Sequence, residues 1–388
     1  MIILLLGSGT QAFAILKSLH VSGNKIIMLI SEVGNYADAS KYVDEVIIFK
    51  GSARDEEYLK RVKRLLTDRQ IDVIIPMGDV HAEFLSKNKE ELSKLTHFKM
   101  PSHEVFMKGY DKNELMSLCR EKGYPHPLTV DLSKTAYDDA ANFSSFPFPG
   151  LLKPNCTTGG RGMCLINSHS DLLEIYPKIK SEFGECHLQQ FIREGGKQVK
   201  LQLYVNENGD LLYSSMMEKV RWYPVKGGSS CCSVSIRNQK MLEICHNVLK
   251  DIHWIGFADF DAIGNPDTGE LLIMEINPRL PACIGAAVNA GIDWGQIIVD
   301  DYLGRPQKKY TFREGVALRH LGFDILWFLK SPKRFKTIPS WFKFFGKSVT
   351  YQDFHFWDQK PFWIGTWHNL KKMYNPEFKK AKSGTSKV

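Results

Sequence analysis

The chain has 388 residues, too long for one small core, so two or three domains or subdomains are expected. At 43% hydrophobic and 24% charged residues it excludes a disordered chain, and no apolar run approaches the roughly 18 residues of a membrane span. The net charge of +8 is uneven: residues 320–388 hold 13 Lys and Arg against 4 Asp and Glu, so the remainder is near neutral.

Ile2 to Leu6 is a continuous apolar run, as for a strand buried on both faces. Met1 to Leu6 is too short for a signal-peptide core and lacks a basic leader. Gly7-Ser8-Gly9-Thr10-Gln11-Ala12 turns the strand into a helix with apolar positions at Ala14, Ile15 and Leu19. Further strands are predicted over 25–30, 43–49 and 71–75, with a basic amphipathic helix over 56–66. This alternation predicts a small doubly wound α/β domain over about the first hundred residues. The glycine turn is a loose match to a dinucleotide fingerprint, and a turn holding a small anion fits equally well.

Asp111 with Glu114 forms a capping box that opens a helix running to about Lys122 and stopped by Gly123. Lys112 falls in its first turn, where the helix dipole favours an anion beside it, although a solvated lysine costs little. Residues 149–166 read as strand, flexible loop, strand. Gly159, Gly160 and Gly162 would let backbone N–H groups approach a polyphosphate, and Lys153 supplies a point charge. No Lys-Ser or Lys-Thr follows the last glycine, so this is not a Walker loop, and a plain glycine-rich hairpin is the alternative.

Strands are predicted over 186–192, 197–205 and 211–217, with Gln198, Lys200 and Gln202 on one polar face. Between 218 and 235, Lys219, Arg221, Lys226, Gly227, Gly228 and Ser229 form a basic, hydroxyl-rich loop suited to an anionic substrate or to solvent. Asn238 to Leu249 is a helix. Two strands joined by the turn residues 264–269 follow, with Asp259 and Asp261 sharing one face of the first. Ile273, Glu275 and Asn277 share a face of the second. A hairpin centred near Thr268 sets Asp261 opposite Glu275, and such facing carboxylates need a compensating cation. Asp261, Glu275 and Asn277 offer hard oxygen ligands, which suit Mg²⁺ better than zinc. Arg279 adds a planar fork for a phosphate or carboxylate. The eight cysteines are scattered without a metal-binding spacing and read as free thiols of a reducing cytoplasm.

In this order, Lys112, Lys153 before a glycine-rich loop, Leu188-Gln189-Gln190-Phe191-Ile192, Asp261 and Met274-Glu275-Ile276-Asn277-Pro278-Arg279 resemble the ATP-grasp superfamily. The likeness covers residues 1 to about 305 and is nearest to carboxylate–amine ligases and the synthetase halves of carbamoyl phosphate synthase. It implies an α/β fold, α+β within the grasp domain. The implied order is a pre-grasp domain over 1–110, the ATP-grasp domain over 111–310 with a lid subdomain at about 125–190, and an aromatic, basic extension over 311–388. It further implies that Lys112, Lys153, Gly159, Gly160 and Gly162 hold ATP phosphates and that Gln190, Phe191 and Ile192 hold adenine. Asp261, Glu275 and Asn277 would hold Mg²⁺ (or Mn²⁺), with Lys153 and Arg279 acting on the transferred phosphoryl group or acyl phosphate. Gln198 stands where relatives commonly carry an acidic ribose ligand. Lys219, Arg221, Gly228 and Ser229 are candidate substrate contacts. The implied reaction is ATP-dependent amide formation between a carboxylate and an amine. The alternatives are phosphoryl transfer like that of carbamoyl phosphate synthase, a nicotinamide dehydrogenase, and a non-catalytic nucleotide-binding protein; a homodimer is compatible with all of these.

Residues 320–388 contain 17 Phe, Trp and Tyr interleaved with lysine. The rings suit packing onto the core, and equally a peripheral membrane interface on the cytoplasmic face that brings the site to a lipid-linked or cell-envelope precursor. A near-neutral core argues against nucleic acid.

Overall fold

The computed structural model describes residues 1–225 and 228–374. Lys226 and Gly227 of the expected anion-binding loop, and the end of the basic tail from 375, lie outside the described residues. Two compact units share the chain. The first comprises 1–106, 200–259 and 277–370; the second comprises 107–199, 260–276 and the residues from 371.

The first unit opens with β1 (Ile2–Leu6), α1 (Thr10–Val21), β2 (Lys25–Ile30), β3 (Glu45–Ile48), α2 (Glu56–Asp68), β4 (Val73–Pro76) and α3 (Asp79–Lys87), then the short α4 (Lys89–Leu92) and the start of α5 (His103–Tyr110). The strands lie parallel in the order β3-β2-β1-β4. Ile3 to Leu6 are fully buried, as a strand with apolar residues on both faces requires.

The second unit begins with α6 (Lys112–Lys122). The Asp111 carboxylate accepts from the N–H groups of Asn113 and Glu114, and Gly123 closes the helix at φ 73°. Then come β5 (Thr129–Asp131), β6 (Gly150–Pro154), β7 (Cys164–Ile166), α7 (His169–Phe183), β8 (Cys186–Gln190) and the start of β9 (Gln198–Val205). An antiparallel sheet in the order β5-β8-β6-β7 packs on α7 through Leu152, Ile166, Leu188, Leu172 and Tyr176.

The chain continues as β10 (Leu211–Tyr223), β11 (Ser229–Ile236), α8 (Gln239–Asp251), β12 (Gly256–Gly264) and β13 (Leu271–Asn277). The turn between the last two closes as predicted, with the N–H of Asn265 on the Glu270 carbonyl and that of Gly269 on the Asn265 carbonyl, both at 2.8 Å. Then follow α9 (Ile284–Asn289), α10 (Trp294–Tyr302), β14 (Ala317–Arg319), α11 (Leu321–Lys330), β15 (Val349–Tyr351) and α12 (Lys360–Tyr374). Within the first unit β9, β10, β11, β14 and β15 are successive neighbours in one sheet. The tail therefore enters the core, because β14 pairs antiparallel with β11 and β15 parallel with β14.

β10 runs six residues past the expected end at 217, with register shifts on either side of Arg221. Such irregularities re-aim a side chain, and here they turn Arg221 inward. This corrects the expectation that Arg221 meets substrate. Its guanidinium is fully buried, with Nε and Nη2 donating to the Asp324 carboxylate at 2.7 and 3.0 Å and Nη1 to the Pro339 carbonyl at 2.9 Å. Arg319 Nε reaches the same carboxylate at 2.6 Å and its Nη1 the Lys343 carbonyl at 2.9 Å. Arg319 also lies over the Phe344 ring at 4.4 Å. One carboxylate thus ties two strands to α11, and the same arginines hold the segment that follows it, where Trp341 stacks on Phe328 at 4.0 Å. Among the described residues no helix is long and apolar enough to cross a membrane.

Replacing Asp324 by Ala leaves two guanidinium groups buried without their carboxylate. A loss of about 3–5 kcal/mol is expected, the range for breaking a buried ion pair, read as a lowered midpoint in chemical denaturation. A midpoint within error of the parent would show that the charges find other partners.

Candidate active site

Within the second unit α6, β6, the glycine loop and the β12–β13 hairpin surround a cavity of about 240 Å³. Lys112 reaches it because the capping box fixes where α6 begins. Its Nζ donates to the Thr157 carbonyl at 2.7 Å and lies 3.5 Å from Glu275 Oε2, while its backbone N–H donates to the Asn155 carbonyl. The helix start and the glycine loop are thereby tied together by one residue.

Lys153 arrives from β6, opposite His187 of β8, and donates through Nζ to Gln189 Oε1 at 2.5 Å. Gln189 in turn donates to Thr129 Oγ1 at 3.1 Å. Burial pulls the Lys153 ammonium down to about 8; nearby Glu275 opposes the shift and Lys112 adds to it. Burial, then the two lysine charges, push His187 well below its usual range, so it stays neutral, with Nδ1 2.9 Å from Asn155 Oδ1.

Gly159 and Gly160 line the same cavity, with φ of 67° and 73°. Gly162, at φ 73°, has a second reason to be glycine: a Cβ there would lie 2.8 Å from both the Phe183 ring and Pro154 Cγ. Asp261 and Glu275 both line the cavity, and Met163 and Met274 form apolar walls that sequence reasoning missed. Strand alternation had put Met274 on the face away from Glu275. Among the described residues no three His, Cys, Asp or Glu side chains converge on a metal position. Two hard carboxylates beside two phosphate-competent cations nevertheless fit Mg²⁺, which takes one or two carboxylates and completes its shell with phosphate oxygens and water.

Asn277 and Arg279 belong to the first unit. Asn277 Oδ1 accepts from Arg279 Nη2 at 3.2 Å, and its Nδ2 lies 3.4 Å from Asp259 Oδ2. Arg279 Nε sits 3.2 Å from Asp79 Oδ1. The fully buried Asp259 takes Lys200 Nζ and Gln202 Nε2, each at 2.7 Å, so two of the three polar residues predicted on β9 serve this acid. Asp79 and Asp259 were not singled out in the sequence. Asp259 shared a predicted face with Asp261, but its partners Lys200 and Gln202 lie over fifty residues away.

The expected adenine segment is partly committed to its own sheet. Gln190 donates its N–H to the Leu128 carbonyl at 2.8 Å, and Phe191 donates to Pro149 at 3.3 Å. Ile192 follows directly, and Gln198 stands half-buried at the head of β9. Lys219 pairs with Ser233 across β10 and β11, and Ser229 with Tyr223. Gly228 is explained by close approach, since a Cβ there would meet the Tyr223 carbonyl carbon at 2.2 Å.

A family model described as the carbamoyl-phosphate synthase L chain ATP-binding domain matches residues 111–290. A D-aspartate ligase from Enterococcus faecium is 22% identical over 318 residues, covering 77% of this chain and 76% of its own length. The C-terminal section of a carbamoyl phosphate synthase large chain from Methanopyrus kandleri is 25% identical, covering 61% of this chain but only 42% of its own. The biotin carboxylase domain of Hydrogenobacter thermophilus 2-oxoglutarate carboxylase, solved with MgADP and bicarbonate, superposes with a TM-score of 0.67 at 16% identity, covering 81% of this chain and 73% of that one. The superposition shows a shared fold, and the family match is confined to residues 111–290 of this chain. Residues 111–290 carry its ATP-binding domain, of the carbamoyl-phosphate-synthase L-chain type.

Since burial pulls the Lys153 ammonium down to about 8, it is largely neutral above that pH, whereas an adjacent polyphosphate favours the ammonium. ATP binding just above pH 8 should therefore take up protons, and affinity should fall as pH rises through this range. Calorimetry in buffers of different ionisation enthalpy measures the uptake. It should vanish in Lys153→Met, and equal uptake in parent and variant would assign the proton elsewhere.

Proposed function

We propose that this protein is an ATP-dependent ligase that joins a carboxylate to an amine through an acyl phosphate. The observation that carries this reading is the single cavity in which Lys112 and Lys153 face Asp261 and Glu275 beneath a glycine loop. A carboxylate oxygen attacks the γ-phosphorus, the bond to the β-phosphate oxygen breaks, and ADP leaves. The amine then attacks the acyl carbon, the carbon–oxygen bond to phosphate breaks, and the nitrogen loses a proton. The chain contributes position and charge, with no covalent nucleophile of its own.

Lys112 and Lys153 bind the phosphates, and Gly159, Gly160 and Gly162 let the loop close on them. Gln190, Phe191 and Ile192 hold adenine, and Gln198 hydrogen-bonds the ribose. Asp261, Glu275 and Asn277 would hold Mg²⁺ or Mn²⁺, which supplies charge neutralisation at the phosphate oxygens. Arg279 steadies the acyl phosphate, while Lys219, Gly228 and Ser229 are assigned to substrate. We assign 1–110 as the pre-grasp domain, 111–310 as the grasp domain with its lid at about 125–190, and 311–388 as an extension. That extension would bring a cytoplasmic enzyme, monomer or homodimer, to the membrane and to a lipid-linked or cell-envelope precursor. Similarity to a D-aspartate ligase over 77% of this chain makes amino acids the first amines to try.

The test is ADP formation across panels of carboxylates and amines, followed by the productive carboxylate labelled with ¹⁸O. One labelled oxygen should appear in the released phosphate. Lys153→Met and Glu275→Ala should each lower turnover by roughly a thousandfold, the upper range for removing one preorganised electrostatic contact. Unlabelled phosphate, or near-normal turnover in either variant, would sink the assignment.

A further inference from the structure

α12 is amphipathic, but it packs the wrong way round for a helix that merely caps a core. After Pro361 and Phe362, which packs against Phe354, its inward face is small and polar. A Cβ on Gly365 would lie 2.4 Å from the Tyr36 ring, Asn369 Nδ2 donates to the Tyr36 hydroxyl at 2.9 Å, and His368 Nε2 lies 3.6 Å from Glu32. Its apolar residues Trp363, Ile364, Trp367 and Leu370 fall at helical spacing on the outward face, with Trp363 and Trp367 66% and 62% exposed. Phe356 and Trp357, just before the helix, are exposed as well.

A second apolar set projects from the segment between α11 and β15. Phe335, Ile338, Phe342 and Phe345 are all exposed, Ile338 at 87% and Phe345 at 76%. Lys333, Arg334, Lys336, Lys343 and Lys347 alternate with them, and no acidic residue occurs from 325 to 352 or from 359 to 376. Soluble chains rarely expose large apolar side chains in groups, so these mark an interaction surface. The buried Arg221–Asp324–Arg319 cluster holds the second set in place through the Pro339 and Lys343 carbonyls.

We propose that these two sets form a docking surface for an anionic lipid bilayer, with α12 lying in the interface plane on its tryptophan face. Three observations favour lipid over another macromolecule. Phe335 and Phe342 pack against Phe328, so the rings form a small apolar cluster with exposed outer faces, as suits insertion as a group into an apolar phase. Tryptophan and phenylalanine beside lysine match the headgroup boundary, where the rings sit and the ammonium groups meet lipid phosphate. The basic residues lack interspersed acids, and each one near an anionic surface strengthens binding. This deepens the assignment of the extension made above, yet it does not depend on which bond the enzyme forms.

The test uses the full chain with vesicles of phosphatidylcholine, with and without phosphatidylglycerol, at low and high salt. The intact protein should sediment with the anionic vesicles, less so in high salt, and its tryptophan emission should shift to the blue. The double variants Trp363→Ser/Trp367→Ser and Phe342→Ser/Phe345→Ser should each weaken partitioning by at least about tenfold, the loss expected when two large rings leave an apolar phase. ATP binding should be unchanged in both, which separates failure of this surface from failure of the ligase reading. Three results would overturn the proposal: no binding to anionic vesicles at low salt, unchanged partitioning in both variants, or a dimer that dissociates in the same variants while vesicles are ignored. Retention on nucleic acid in place of vesicles would overturn it equally.

Discussion

The candidate site is organised by the cost of keeping two ammonium groups close together out of water. Lys153 is buried, and the charge on Lys112 works against its own. Glu275, 3.5 Å from Lys112, offsets part of this, while Gln189 and the Thr157 carbonyl accept the lysine hydrogens. Each acceptor comes from a different element, so the helix start, the glycine loop, β8 and the hairpin are all held by one electrostatic balance. An incoming polyphosphate adds the negative charge that the balance lacks. The affinity of such a site comes from relieving an existing strain, with little new structure to be formed.

Much of the fold could be read from the sequence where local chemistry decides structure. Asp111 and Glu114 marked the start of α6, Gly123 its end, and the Asn265–Gly269 turn its hairpin, because capping and turn formation need only neighbouring residues. Lys112, Lys153, Asp261 and Glu275, singled out by residue type and order, line one cavity. Arg221 was misread because its partner is Asp324, about a hundred residues away, and composition alone gives no sign that a basic residue in a hydroxyl-rich stretch turns inward. Asp259 and Asp79 escaped notice for the same reason, since each is satisfied by residues distant in the chain. Met163 and Met274 escaped because an apolar wall leaves no motif.

The aromatic tail shows both readings of one composition. Trp341, Phe328 and Phe344 pack beside the buried arginines, as rings added to a core do. Trp363, Trp367, Phe342 and Phe345 face outward. Composition cannot separate the two groups: on α12 the distinction rests on which side carries Gly365 and Asn369, and between α11 and β15 on which rings reach the buried arginines.

Because β14 and β15 are strands of the central sheet and Asp324 neutralises two buried charges, the region after residue 310 is not an appendage. Cutting the chain there would strip a sheet edge and expose its hydrogen-bonding groups, producing an aggregation-prone fragment whatever its ligand-binding properties. Beyond Tyr351 the chain is still held, since the buried Asp353 accepts from the Leu321 N–H and lies 3.0 Å from His320 Nδ1, and the buried Asp358 accepts from Ser40 Oγ. Shortened forms of this protein, natural or engineered, should therefore lose stability in steps: those ending before 351 insoluble, and those ending before 359 deprived of the Asp353 and Asp358 contacts.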